Sequence, residues 1–187
     1  MKPLVLILIL LVVLLGAWFW VNSLSVQNAT SVPTPVLPKG ATSFEECAAS
    51  GAPVAESYPR TCRDGSGKVF TENIGNVLEK SDRIRLTTPI PNQVVMNPLE
   101  VTGEARGNWF FEASFPVVLL DNANQEIARG IATAEGEWMT TEFVPFRATL
   151  TFAKPMSEIG TLRLERDNPS GLPENADTLT LPVRFTP

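Results

Sequence analysis

The chain has no histidine, only two cysteines and a single tyrosine among its 187 residues. Without histidine there is no His-dependent catalytic triad, no His-liganded metal site, and no ordinary general base near neutral pH. Two cysteines are too few for a Cys-only structural zinc site. Positive charge is also short: 15 Lys and Arg stand against 20 Asp and Glu, a formal net charge of -5. Nucleic-acid binders need the opposite, a basic surface that displaces counterions. Neither G-x-S-x-G nor S-x-x-K occurs, so the nucleophile motifs of two large hydrolase groups are missing. The expectation is a protein without catalytic residues, cofactor, metal or nucleic-acid partner. What is present is ordinary globular composition, 44% hydrophobic and 19% charged, in a length that suits one domain plus small appendages.

The apolar residues are uneven. Residues 4–21 (LVLILILLVVLLGAWFWV) form a run of 18 without a charged side chain. As a helix it spans ~27 Å, just enough for a hydrocarbon core of about 30 Å. A cleaved signal peptide is the alternative, but its apolar core is typically about 7–15 residues, followed by a small-x-small site. This run is longer and ends in Trp18, Phe19 and Trp20, which suit an interfacial belt. An uncleaved transmembrane anchor is the favoured reading. Lys2 precedes the run and no charge follows until Lys39. The positive-inside rule then leaves residues 1–3 in the cytoplasm and the rest extracytoplasmic.

Residues 22–43 are rich in Ser, Thr, Asn and Pro, and Pro33, Pro35 and Pro38 hinder both helix and sheet. They read as a tether, with Asn28-Ala29-Thr30 matching the glycosylation pattern. Residues 44–73 hold Cys47 and Cys62. An isolated, even pair in an extracytoplasmic segment predicts a disulfide, needed because some 30 residues bury little core. A redox or metal pair is the competing reading. The 14 intervening residues do not make C-x-x-C, and no His accompanies them. Asp64-Gly65-Ser66-Gly67-Lys68 superficially suggests a phosphate loop. The first Gly and the Ser or Thr after Lys that such a loop requires are missing, and the pentamer reads as a hairpin turn. The order Cys47, Gly51, Pro53, Glu56, Tyr58-Pro59, Cys62 and Gly67-Lys68 resembles a short Cys-pair module found beside small domains of secreted bacterial proteins.

A polar join, residues 74–82, leads into a period-two pattern. Ile84 and Leu86 alternate with arginines, and Leu99, Val101 and Gly103 with Glu100, Thr102 and Glu104. The same alternation recurs over 147–152, 161–165 and 179–185. Residues 115–120 are continuously apolar, as in a central strand, and 126–134 supply another strand. About seven short strands with turn residues between them have the rhythm of an immunoglobulin-like antiparallel β-sandwich over 83–187. The fold class is therefore all-β, and no convincing helix is expected beyond the anchor. Pro182 demotes the last strand to an edge.

Three segments carry a resemblance. They are VTGEARGNWFFEASFPVVLLD (101–121), GEWMTTEFVPFRATLTF (136–152) and DNPSGLPE (167–174). In this order they resemble the immunoglobulin-like domain of bacterial spore germination over about residues 84–185. The resemblance implies an extracytoplasmic, non-catalytic sandwich with an interaction or scaffolding role. It implies no particular ligand.

Candidate interaction residues follow from type. Arg106, Trp109, Phe110, Phe111 and Glu112 lie in one segment dense in residues that concentrate interface energy. The competing reading packs the aromatics inside, with Arg106 and Glu112 as a structural ion pair. Trp138 is a second aromatic candidate, again weighed against a core role. Asp167 and Asn168 open an oxygen-rich loop. Its spacing breaks the EF-hand pattern, and turn chemistry explains the same residues. Glu135 and Glu137 are paired carboxylates of the kind glycosidases use, but a small sandwich seldom encloses a cleft. The favoured function is a membrane-anchored interaction or scaffolding module of the bacterial cell envelope, its partner an envelope protein. The alternative is binding of cell-wall glycan through exposed aromatics, Trp109 or Trp138.

Overall fold

The computed structural model describes residues 40–153 and 155–185. Among them no helix is long and apolar enough to cross a membrane. The expected anchor at 4–21 and the tether up to residue 39 lie outside the described residues.

The disulfide module begins with a helix that periodicity did not predict: α1, Phe44–Ala49. Six residues are too few to show a 3.6-residue repeat, but the start signal is in the sequence. Ser43 caps the helix, its hydroxyl accepting from Glu46 N at 3.2 Å. Glu46 reaches back to accept from Thr42 N at 2.8 Å, a variant of the reciprocal S-x-x-E cap. Glu45 and Glu46 also place negative charge in the first turn, where the helix dipole favours it. Strands β1 (Val54–Ala55), β2 (Thr61–Arg63) and β3 (Val69–Thr71) form an antiparallel sheet in that order. The Cys47–Cys62 disulfide ties α1 to β2 with 6.0 Å between Cα atoms, and both cysteines are fully buried. The β2–β3 connection is the expected turn. Asp64 Oδ1 accepts from Ser66 N at 2.9 Å, from the Ser66 hydroxyl at 2.6 Å and from Lys68 N at 3.0 Å.

The remaining strands are β4 (Ile84–Thr88), β5 (Val94–Val95), β6 (Leu99–Arg106) and β7 (Ser114–Asp121), then β8 (Glu126–Ala134), β9 (Phe143–Leu150), β10 (Ile159–Glu165) and β11 (Thr178–Phe185). Their ladder runs β4-β6-β9-β8-β7-β10-β11-β5. β8 meets β9 only at Thr133↔Arg147 and Ala134↔Phe146, and there the ladder folds over into two layers. Phe115 of β7 and Phe146 of β9 meet edge to face at 4.9 Å within one shared core. Alternation along β9, β10 and β11 produces their inward rows, whereas Val117 to Leu120 of central β7 are all buried. β9 starts at Phe143, earlier than expected, because the buried set Val144, Phe146, Ala148 and Leu150 keeps one register.

Seven longer strands match the expected number, and two-residue β5 adds an eighth. β5 pairs in parallel with β11 through Arg184↔Val94 and Phe185↔Val95. Residues 89–93 therefore carry the chain from one layer to the other across the open side of the sandwich. Pro182 lies short of that pairing. Its carbonyl accepts from Asn92 N at 2.8 Å, so its missing N–H also faces away from β10 and the β10–β11 ladder is intact.

The polar join runs along β11. Asn76 Nδ2 donates to Thr178 O at 2.9 Å, and Asn76 Oδ1 accepts from Thr180 N at 2.7 Å. One side chain thus substitutes for a strand neighbour. Module, join and sandwich lie in one compact unit.

Candidate interaction groove

The residues singled out by type gather at one end of the sandwich, but as a packed cap. Trp109 is 1% and Phe110 4% exposed. A buried indole presents no face to a sugar, so the glycan reading loses Trp109. Phe110 stacks against Phe115 at 5.2 Å. Phe111 is 42% exposed, and Glu112 is exposed at a turn with φ +48°. Arg106 does not pair with Glu112. It donates to Asp82 O at 3.1 Å and Thr141 O at 3.0 Å, with Glu142 at 3.7 Å. Phe143 makes the difference: the guanidinium groups of Arg106 and Arg85 both stack over its ring, each 4.1 Å from its centre. This stacking directs Arg106 along the sheet surface instead of toward the turn. Trp138 is half-buried against the core. Asp167 N donates to Trp109 O at 3.1 Å, and Asn168 Nδ2 donates to Leu172 O at 2.8 Å. The Asp167–Asn168 loop is thus closed by its own backbone contacts. Among the described residues no group of three or more acidic or thiol side chains is placed to hold a metal ion.

The concave apolar surface lies elsewhere, where the disulfide module meets the open side of the sandwich. Two adjoining hollows of about 180 and 680 Å³ share Tyr58, Ile90 and Pro91. The first continues over Val77, Leu78 and Leu86 to Leu179. The second is walled by Arg60, Glu72 and Asn92. Tyr58 is 60%, Leu78 51% and Ile90 59% exposed, an unusual grouping of large apolar side chains on one surface.

Each wall is held for a local reason. Tyr58 sits within the loop that the disulfide closes. Arg60 grips buried Glu72 through two hydrogen bonds, Nε–Oε2 at 2.9 Å and Nη2–Oε1 at 2.6 Å. That bond holds the Glu72 carboxyl below its usual range against the opposing effect of burial. Asn92 Nδ2 adds a bond to Glu72 Oε1 at 3.1 Å and one to Asn73 O at 2.9 Å. Ile90 is fixed by Gln93, whose Oε1 accepts from Ile90 N at 2.9 Å. Partial burial, and then the nearby Glu72 carboxylate, push the Tyr58 phenol above its usual range, so it stays neutral.

Residue type alone did not single out Tyr58, Leu78 and Ile90. The available signal was an apolar side chain within turn-rich polar stretches, outside any alternating run.

An all-β immunoglobulin-like sandwich with an exposed apolar groove is the build of a binding domain. Residues 83–171 match the family model described as the immunoglobulin-like domain of bacterial spore germination. The matched segment covers just under half of the 187 residues. β11 lies beyond the matched span and completes the same ladder. Neither the curated proteins nor the solved structures give a match. A domain of this family fits a non-catalytic interaction module.

Proposed function

We propose that this protein is a membrane-anchored, extracytoplasmic interaction or scaffolding module of the bacterial cell envelope, and that it binds another envelope protein. The observation that carries the reading is the groove around Tyr58, Leu78 and Ile90, built jointly by the disulfide module and the sandwich. Three further features support it: the apolar run at 4–21, a disulfide that needs an oxidising compartment, and the family match. A protein partner is favoured over wall glycan because aliphatic side chains dominate the groove and Tyr58 is the one aromatic among the described residues that line it.

The test uses the full-length protein in intact cells. A photo-crosslinking side chain at each of several exposed positions, Ile90 and Phe111 among them, should give a discrete protein adduct at one or more. External protease on wall-stripped cells should degrade residues beyond the anchor. Protection from that protease, or no adduct anywhere on the surface, would overturn the proposal.

A further inference from the structure

We infer that the groove takes an extended segment of a partner polypeptide, apolar at alternate positions and flanked by Lys or Arg, which adds a strand beside β4. The inference rests on the interaction-module reading above and assigns its ligand class.

The first reason is the edge itself. Among the described residues β4 ends the ladder, with β6 on one side only. Its register pairs Arg85 with Glu104 and Leu86 with Gly103, and Arg106 N donates to Arg83 O at 2.8 Å. In an antiparallel ladder such bonded pairs alternate with non-bonded ones. Arg83 and Arg85 therefore turn their main chain toward β6, and Ile84 and Leu86 turn theirs outward. Ile84 N is taken by Lys80 O at 2.9 Å. The outward Leu86 main chain lies at the wall of the hollow and has no strand partner among the described residues, which leaves it to an incoming strand. Strand addition draws affinity from such groups and selectivity from alternate side-chain pockets.

The second reason is what surrounds that edge. Tyr58, Leu78 and Ile90 offer exposed apolar surface on the same side, so an occupant with aliphatic side chains at alternate positions covers them while its main chain meets Leu86.

Charge decides the flanks. Both cations that line the groove are matched within the chain, Arg60 by Glu72 and Arg85 by Glu104, and nearby Lys80 is matched by Asp177. Glu56 lines the second hollow, Glu79 lies in a neighbouring depression that shares Leu78 with the first and Glu72 with the second, and neither makes an ion pair among the described residues. The unmatched charge at the rim is negative, on a chain of net charge -5. An acidic or anionic-lipid occupant is repelled, and a basic one is drawn in.

The test is selection of random peptides displayed on phage against the detergent-solubilised full-length protein, with the Ile90→Asp variant as counter-target. Ile90 and Tyr58 are exposed, so their variants keep the fold, which circular dichroism checks. Enriched peptides should show aliphatic residues at alternate positions with flanking Lys or Arg. A synthetic copy should lose about tenfold or more in affinity on Tyr58→Ala or Ile90→Asp. It should weaken similarly when Glu56 and Glu79 are both changed to Lys. N-methylation of one alternate set of its amides should abolish binding and of the other set should not, as main-chain pairing on one side requires. No enrichment over Ile90→Asp, enrichment of acidic peptides, or equal effects of the two methylated sets would overturn the inference. So would self-association of the protein that Ile90→Asp removes, since the occupant would then be a second copy. Crosslinks in cells at other surface positions, with none at Ile90, would leave the interaction module standing and remove this ligand.

Discussion

Asn92, on the connection between the two layers of the sandwich, donates a hydrogen bond to Glu72 of the disulfide module, Nδ2 to Oε1 at 3.1 Å. Its second bond, to Asn73 O at 2.9 Å, makes one amide the clasp between the two walls of the groove. Asn92 holds φ +63°, a conformation that asparagine tolerates better than most residues. Asn92→Ala removes both bonds and should cost about 1–3 kcal/mol. Hydrogen exchange should rise over residues 56–74 and stay unchanged in β7 and β10. An unchanged exchange pattern at 56–74 would show that the clasp does not hold the module.

Acid should weaken the protein through carboxylates with lowered pKa. Hydrogen bonding from Arg60 lowers Glu72 from its ordinary 4.5 despite burial. For Asp177, burial opposes ionisation, but hydrogen bonds from Lys80 and Arg83 together outweigh it and lower the group from 3.8. A lowered folded pKa means stability that is full above the ordinary value and lost as pH falls through the folded one. Urea denaturation should therefore show stability level near neutrality and falling below pH 4.5. Glu72→Gln and Asp177→Asn should each lower stability at neutral pH and flatten the acid slope. An unchanged slope in both would reject these two groups as its source.

The disulfide should act locally. Closing about 16 residues is worth ~3 kcal/mol in the chain-entropy model, and this module buries little else. Replacing both cysteines by Ala should open residues 44–71 to limited proteolysis while the sandwich core stays protected. Binding at the groove should fall with it, because Tyr58 lies inside the closed loop. Intact protease resistance over 44–71 would contradict this account.

The two candidate tryptophans should separate by burial. Trp109→Ala empties a site that is 1% exposed and should cost about 3–5 kcal/mol. Half-buried Trp138→Ala should cost less, about 1–2 kcal/mol. Cosedimentation with purified cell wall, run beside circular dichroism, should show no saturable binding that a folded Trp138→Ala variant loses. Such a loss would restore the glycan reading.

Gly75→Ala should damage the join. Gly75 has φ +71°, and an added Cβ would collide with the backbone carbonyl of Thr180. Strain alone is about 1–3 kcal/mol, and the collision adds to it by pushing Asn76 off β11. Chemical denaturation measures the loss. A variant as stable as the parent would mean that the join does not depend on this close approach.

Period-two alternation over 99–104, 161–165 and 179–185 made the sandwich readable, because one buried face forces a two-residue repeat. The disulfide was readable because an isolated cysteine pair has one partner choice. Helix α1 was not, since its evidence is one cap and not a repeat. The fate of the aromatics was not either. Trp109, Phe110 and Phe111 are neighbours of one type, yet two are buried and one is not, because the remote segment at Asp167 meets Trp109 and the ring of Phe115 packs on Phe110. The groove lay beyond sequence reading for the same reason. Tyr58, Leu78, Leu86 and Ile90 come from four different segments, and each is unremarkable alone. Local sequence determined which residues pair within a strand or turn, since those preferences act over a few bonds. Only the tertiary structure decided which apolar side chains stay uncovered, because coverage depends on what the distant chain places on top of them.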